Sequence, residues 1–179
     1  MLAGMDIRAE IAIDATPLAA WTALGERFGD IADWAAPIVA SSCTLNGEGS
    51  PEVGSVRTCR TAGFGPMGPG TIQERLTAFD RDAMSFAYEA VSGMPGAVAR
   101  AVNRWSIRPR GIAGCTVASQ ATVELNGLAR PLGFLLRRSL ERSGARVLED
   151  LKHHLERGGP SPRKTRSVAR IRGREGLVG

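Results

Sequence analysis

Few residues in this 179-residue chain can carry chemistry, and the most informative is Glu74. Ile72, Leu76 and Ala78 alternate with Gln73, Arg75 and Thr77, the period-2 signature of a half-buried strand. Glu74 falls on the Ile72/Leu76 face. A carboxylate there is costly unless it is paired, hydrogen-bonded or wet, which suggests a cavity beneath a curved sheet. Arg57 lies in the strand-like run 53–61 and faces the same way as Cys59. If the two strands are neighbours, Arg57 and Glu74 form a buried ion pair. Three roles stay open for that pair. It can satisfy only itself, or anchor a carbonyl or hydroxyl of a mainly apolar ligand. Alternatively Glu74 is a general acid/base, its pKa raised by desolvation and lowered by the adjacent arginine.

Tyr88 is the chain's one tyrosine, and Asn103 and Trp105 share a face of the run 98–109. A large aromatic fills volume, so Trp105 reads first as core. An amide inside a sheet concavity needs partners, so Asn103 points to a wet pocket or a ligand. Ser119 adds a small polar group to the same space. These placements rest on strand parity, which one bulge reverses. His153 and His154 are the chain's histidines, adjacent near the end of the last helix, and read as solvent-facing groups beside a helix C-terminus. They assemble no Ser-His-Asp or Cys-His constellation and no metal set. Cys43, Cys59 and Cys115 match no metal spacing or disulfide framework. The glycines of 63–70 lack the lysine and following helix of a phosphate loop. No metal and no cofactor is expected.

The elements that position these residues follow from periodicity. Ile7 to Ile13 alternates as a first strand. Thr16 and Pro17 then form a helix start, N-cap and first position, with Trp21, Leu24 and Phe28 on one face. Gly25 and Gly29 break this helix, and 30–34 makes a second short turn before Pro37. Strands are expected at 38–45, 53–61, 72–78, 84–88, 98–109 and 115–125, with turns at 46–51 and 79–82. Leu132, Leu136, Leu140, Val147, Leu148, Leu151 and Leu155 set the stripe of a long helix over 131–157. Gly144 interrupts that stripe, either for close helix–sheet packing or to leave room for a ligand. Six consecutive hairpin-connected strands require an antiparallel sheet. The expected class is α+β, a helix-grip: a curved antiparallel sheet of about seven strands wrapped on one long C-terminal helix, with two short helices after strand 1.

The net charge of +5 resides in the tail. Residues 1–157 carry 17 basic and 17 acidic side chains, whereas 158–179 carry six Lys/Arg against Glu175 alone. A neutral body argues against a domain built to grip nucleic acid. Arginine outnumbers lysine 21 to 2, a bias that lowers the weight of any single arginine. The domain is expected to span 1–157, with 158–179 a basic tail without structure. No run of eighteen apolar residues and no leader-like N-terminus is present, so the expected location is cytoplasmic, without a transmembrane segment.

In this order, Ala15-Thr16-Pro17 with Trp21, Val53-Gly54-Ser55-Val56-Arg57, Glu74-Arg75-Leu76 followed by Asp80, and Trp105-Ser106-Ile107-Arg108-Pro109 resemble the START/SRPBCC superfamily. The likeness covers residues 6 to about 157 and is strongest to its polyketide cyclase/dehydrase-like branch. It implies a ligand cavity between sheet and helix, with Glu74 and Tyr88 facing it and 91–96 as a gate loop. It also places Ser41 where hormone receptors of the superfamily carry a cationic lysine, a departure that removes the salt bridge to an acidic hormone. Ser41, Arg57, Cys59, Glu74, Tyr88, Asn103, Trp105 and Ser119 are thus the candidate ligand-binding residues. The expected function is binding of a small hydrophobic or polyketide-like molecule. The alternatives are an aromatase/cyclase or dehydratase, and a ligand-free interaction module using the outer sheet face, as a homodimer. Fold alone does not choose among these.

Overall fold

The computed structural model describes residues 4–45, 49–63, 68–126 and 133–175. Seven strands form one antiparallel sheet: β1 (Gly4–Ile13), β2 (Ile38–Thr44), β3 (Val56–Thr61), β4 (Gly70–Asp80), β5 (Ser85–Ser92), β6 (Val98–Arg110) and β7 (Gly114–Leu125). Their spatial order is β1-β7-β6-β5-β4-β3-β2. The first strand therefore closes onto the last, and every other neighbour is a hairpin or short connection. The long helix α2 (Gly133–Arg157) lies in the grip of this curved sheet, as the leucine stripe requires. Its packing is mainly against β1. The helix-grip expectation is met.

Between β1 and β2 the chain turns three times. Thr16 caps α1 (Pro17–Trp21), its hydroxyl accepting from Ala19 N at 3.2 Å. A π-helical turn (Thr22–Glu26) follows, then a 3-10 helix (Phe28–Asp33). Gly25 is required here by close approach. A Cβ would sit 2.8 Å from the Trp21 ring, which folds back over the turn. The expected turn around 46–48, the middle of the 63–70 loop and the first two residues of the long helix lie outside the described residues.

The tail departs from expectation. Instead of lacking structure, Pro162–Glu175 forms a further helix, α3. Ser161 caps it, accepting from Lys164 N at 3.2 Å, and Pro162 follows at the first helical position. The anchor is Asp150, 1 % exposed on α2. Its carboxylate accepts from Ser161 Oγ at 2.5 Å, Arg163 Nε at 3.2 Å and Ala36 N at 3.0 Å. Lys164 Nζ donates to the Ile38 carbonyl. One buried carboxylate thus joins α2, α3 and the segment leading into β2. No described helix is long and apolar enough to cross a membrane.

The histidines also depart from the solvent-facing expectation. Both are half-buried. His153 Nδ1 lies 3.3 Å from the Gly159 carbonyl, and His154 Nδ1 is buried with no partner among the described residues.

Candidate functional site

The inner face of the sheet carries two apolar clusters. Toward the C-terminal half of α2, Trp21, Phe28, Phe86, Trp105, Leu148 and Leu151 close a dense core. Toward its N-terminal half, Ile7, Val123 and Leu125 form a smaller cluster with Leu136 and Leu140 packed against it. Between sheet and helix at that second end lies a cavity of about 660 Å³. Small side chains open it: Ala9, Ala90, Ala101 and Ala121 from the strands, and Gly144 from α2. Gly93, Met94 and Pro95 of the 91–96 segment form part of its wall. Gly93 has φ +82°, and a Cβ there would come within 1.9 Å of the Thr71 carbonyl oxygen. Glycine is thus required where β5 leaves the sheet.

The polar wall is built by register. Arg57 of β3 stands directly opposite Glu74 of β4. Its Nε and Nη2 donate to Glu74 Oε2 at 2.8 and 2.5 Å, and Nη1 donates to the Phe28 carbonyl at 2.8 Å. The guanidinium carbon lies 3.9 Å from the Phe28 ring centroid and 5.0 Å from that of Tyr88. The arginine side chain is 4 % exposed, the carboxylate's 17 %. Burial opposes the charge on Arg57 more than any single neighbour favours it, but Glu74, Tyr88 and Cys59 together outweigh it and raise the arginine pKa. Glu74 lines the cavity, whereas Arg57 sits behind it.

Tyr88 and Asn103 are cross-strand partners on β5 and β6, and Trp105 faces Ser119 on β7. Asn103 Nδ2 donates to the Tyr88 hydroxyl at 3.1 Å, and Ser119 Oγ donates to Asn103 Oδ1 at 3.0 Å. All four line the cavity. Burial, then the nearby Glu74 carboxylate, pushes the Tyr88 pKa up to about 12, so the phenol stays protonated. Trp105 Nε1 is buried without a hydrogen-bond partner among the described residues, and its ring stacks on Phe86 at 6.3 Å.

Three of the eight candidates do not line the cavity: Arg57 behind Glu74, and also Ser41 and Cys59. Ser41 Oγ donates to the Gly29 carbonyl at 2.6 Å and accepts from Ala32 N at 3.1 Å, so it fastens the 3-10 helix and does not line the cavity. Cys59 is 2 % exposed, its Sγ 3.7 Å from Glu74 Oε2, and burial pushes its thiol up to about 12. It supports the ion pair from behind. Sequence reasoning missed Phe28 as a partner of Arg57. Its helical spacing marked it as core, and nothing in the sequence signals that its carbonyl and ring both meet a guanidinium.

Solved structures share this architecture at low identity, which shows the fold alone. The Zhui aromatase/cyclase of a Streptomyces species superposes with a TM-score of 0.71 at 13% identity, covering 87% of this chain and 95% of that one. The major latex-like protein 151 of Panax ginseng gives 0.62 at 18%, covering 85% and 97%. Norcoclaurine synthase from Thalictrum flavum gives 0.57 at 16%, covering 85% and 93%. No curated protein sequence matches the chain. A family model does, over residues 5–156: the chain belongs to the family described as polyketide cyclase / dehydrase and lipid transport.

Proposed function

We propose that this protein binds a small, largely apolar, polyketide-like molecule in the cavity between sheet and α2. The observation that carries the reading is the cavity itself. Its ~660 Å³ falls within the roughly 300–1,000 Å³ typical of small-molecule sites, and its lining is apolar with a few converging polar groups. Glu74, Tyr88, Asn103 and Ser119 would orient the ligand, with Trp105 as a flat wall and 91–96 as the lid. An open cavity weighs against an interaction module, for which bulky side chains would fill that space. The family description and the aromatase/cyclase among the structural neighbours support the polyketide-like character.

A second reading, cyclase or dehydratase activity, draws on one observation. Two neutral donors, Tyr88 and Asn103, stand beside the Glu74 carboxylate, as polarising a carbonyl and moving its neighbouring proton would need. Against it, Glu74 Oε2 already accepts two hydrogen bonds from Arg57, so the carboxylate is tied into the wall by one of its two oxygens. Binding therefore leads.

Native mass spectrometry of the purified protein, followed by denaturing extraction, tests the first reading. A co-purifying apolar or aromatic compound is expected. Protein that stays empty through a screen of polyketide-like compounds would remove the reading. Glu74→Gln separates the two roles: turnover is abolished if Glu74 is catalytic, and affinity falls only modestly if it anchors.

A further inference from the structure

The unfilled hydrogen-bonding positions of the polar wall narrow the ligand class, resting on the binding reading above. Three of the five N–H groups of Arg57 are committed to the protein, and Arg57 does not line the cavity. Nε and Nη2 serve Glu74 Oε2, Nη1 serves the Phe28 carbonyl, and two aromatic rings flank the guanidinium. It neutralises Glu74 from behind the wall. Every donor that Glu74 receives, including Cys59 Sγ, goes to Oε2. Oε1 has no donor among the described residues, on a side chain that borders the cavity.

Beside this open acceptor stand open donors. The Tyr88 oxygen accepts from Asn103, but its own O–H reaches no acceptor among the described residues. Its raised pKa keeps that proton in place. Asn103 spends one N–H on Tyr88, and its carbonyl accepts from Ser119, which leaves a second N–H. The described residues of the lining include no lysine, arginine or histidine.

We infer that the cavity selects a neutral, hydroxyl-bearing apolar molecule, an alcohol or phenol, and rejects carboxylates of the same size. A hydroxyl donates to Glu74 Oε1 and accepts from Tyr88 or Asn103, filling both vacancies with one group. A carbonyl uses the donors but leaves Oε1 unmatched. A carboxylate can only accept, and it places a second anion beside Glu74 in an apolar space whose described lining holds no lysine, arginine or histidine. A primary ammonium fares poorly too, because Arg57 already balances the charge of Glu74.

The test is a matched series at neutral pH: β-naphthol, methyl β-naphthyl ketone, β-naphthoate and β-methylnaphthalene, titrated by calorimetry or fluorescence. The naphthol is expected to bind most tightly, the ketone less, and the naphthoate at least about tenfold weaker than the naphthol. Asn103→Leu should reduce the naphthol's advantage over β-methylnaphthalene, with a circular-dichroism spectrum and a urea unfolding curve to certify the fold of the variant. Naphthoate binding as tightly as naphthol, or naphthol no tighter than β-methylnaphthalene, overturns the hydroxyl selection and leaves the apolar site standing. Failure of all four probes to bind overturns both.

Discussion

The two ends of the sheet's inner face are equally apolar in kind and opposite in outcome. At one end Trp21 meets Phe79 at 5.1 Å, Phe28 meets Phe86 at 5.9 Å, and Leu148 and Leu151 seal the layer from α2. At the other, the same strands and the same helix present Ala9, Ala101, Ala121 and Gly144, and the layer stays open. Hydrophobicity does not separate the ends; side-chain volume does. Protein interiors are packed at crystal-like density, so a run of small residues between rigid elements leaves a void that the backbone cannot collapse to fill. Trp105 belongs to both ends, packed on Phe86 and bordering the cavity, and it marks the boundary. A ligand, on this view, takes the place of core side chains absent from the second end.

The sharpest way to break that comparison is one truncation at each end. Leu151 is fully buried in the closed core, so Leu151→Ala should cost about 2–5 kcal/mol of unfolding free energy. Leu140 is half-buried and borders existing space, so Leu140→Ala should cost about 1 kcal/mol and enlarge the cavity. Urea unfolding of both variants checks the contrast. Equal losses would mean that the second end is packed as tightly as the first and that the cavity closes in solution.

A smaller effect comes from the closed end's polar margin. Burial lowers the His154 pKa below its usual 6.5, with Asp33 opposing and Arg27 and His153 reinforcing the shift. As pH falls through 6.5, the unfolded chain takes up this proton first. Stability should therefore rise with pH between the lowered value and 6.5, with a slope of at most about 1.4 kcal/mol per pH unit for one group. Unfolding curves for the parent and His154→Gln at about pH 5 and about pH 7.5 isolate it, since the variant should lose that part of the pH dependence. An unchanged slope would place His154 in ordinary solvent.

Most of the architecture was legible because it is written in period. Strand alternation, the leucine stripe and the Thr16-Pro17 start each translate into one local geometry, and the observed elements follow them closely. The Arg57–Glu74 pair was legible for the same reason: an acid and a base on inward parities of adjacent strands have few other places to go. Ser41 was not legible, because its position came from resemblance, and its hydroxyl is committed to Gly29 and Ala32 across a contact that no local pattern announces. The tail shows a different failure. Ser161-Pro162 has the same cap-and-first-position grammar as Thr16-Pro17, but weak hydrophobic periodicity and high charge argued for a chain without structure. What overrides that composition is tertiary. Asp150, buried on α2, holds Ser161 and Arg163 from a position 11 to 13 residues away. Composition records charge, not where a partner will be buried.

The smallest predicted effect is the most discriminating, because it decides what Gly144 is for. Glycine inside a helix costs roughly 0.5–1 kcal/mol relative to alanine through backbone entropy. A Cβ at Gly144 would meet only the Ala9 Cβ, at 3.9 Å, an ordinary van der Waals contact. No steric debt therefore offsets the gain. Gly144→Ala should stabilise the protein by about 0.5–1 kcal/mol, visible as a Tm rise of roughly 1–4 °C for a chain of this size. The added methyl should take only a small bite from the cavity. Gly144→Leu would extend a branched side chain into the same space and should weaken probe binding far more than it changes stability. Had Gly144 been needed for close helix–sheet packing, the alanine variant would lose stability instead. A gain in stability together with a loss of binding in the leucine variant would show that this helix position holds space open at the expense of its own stability.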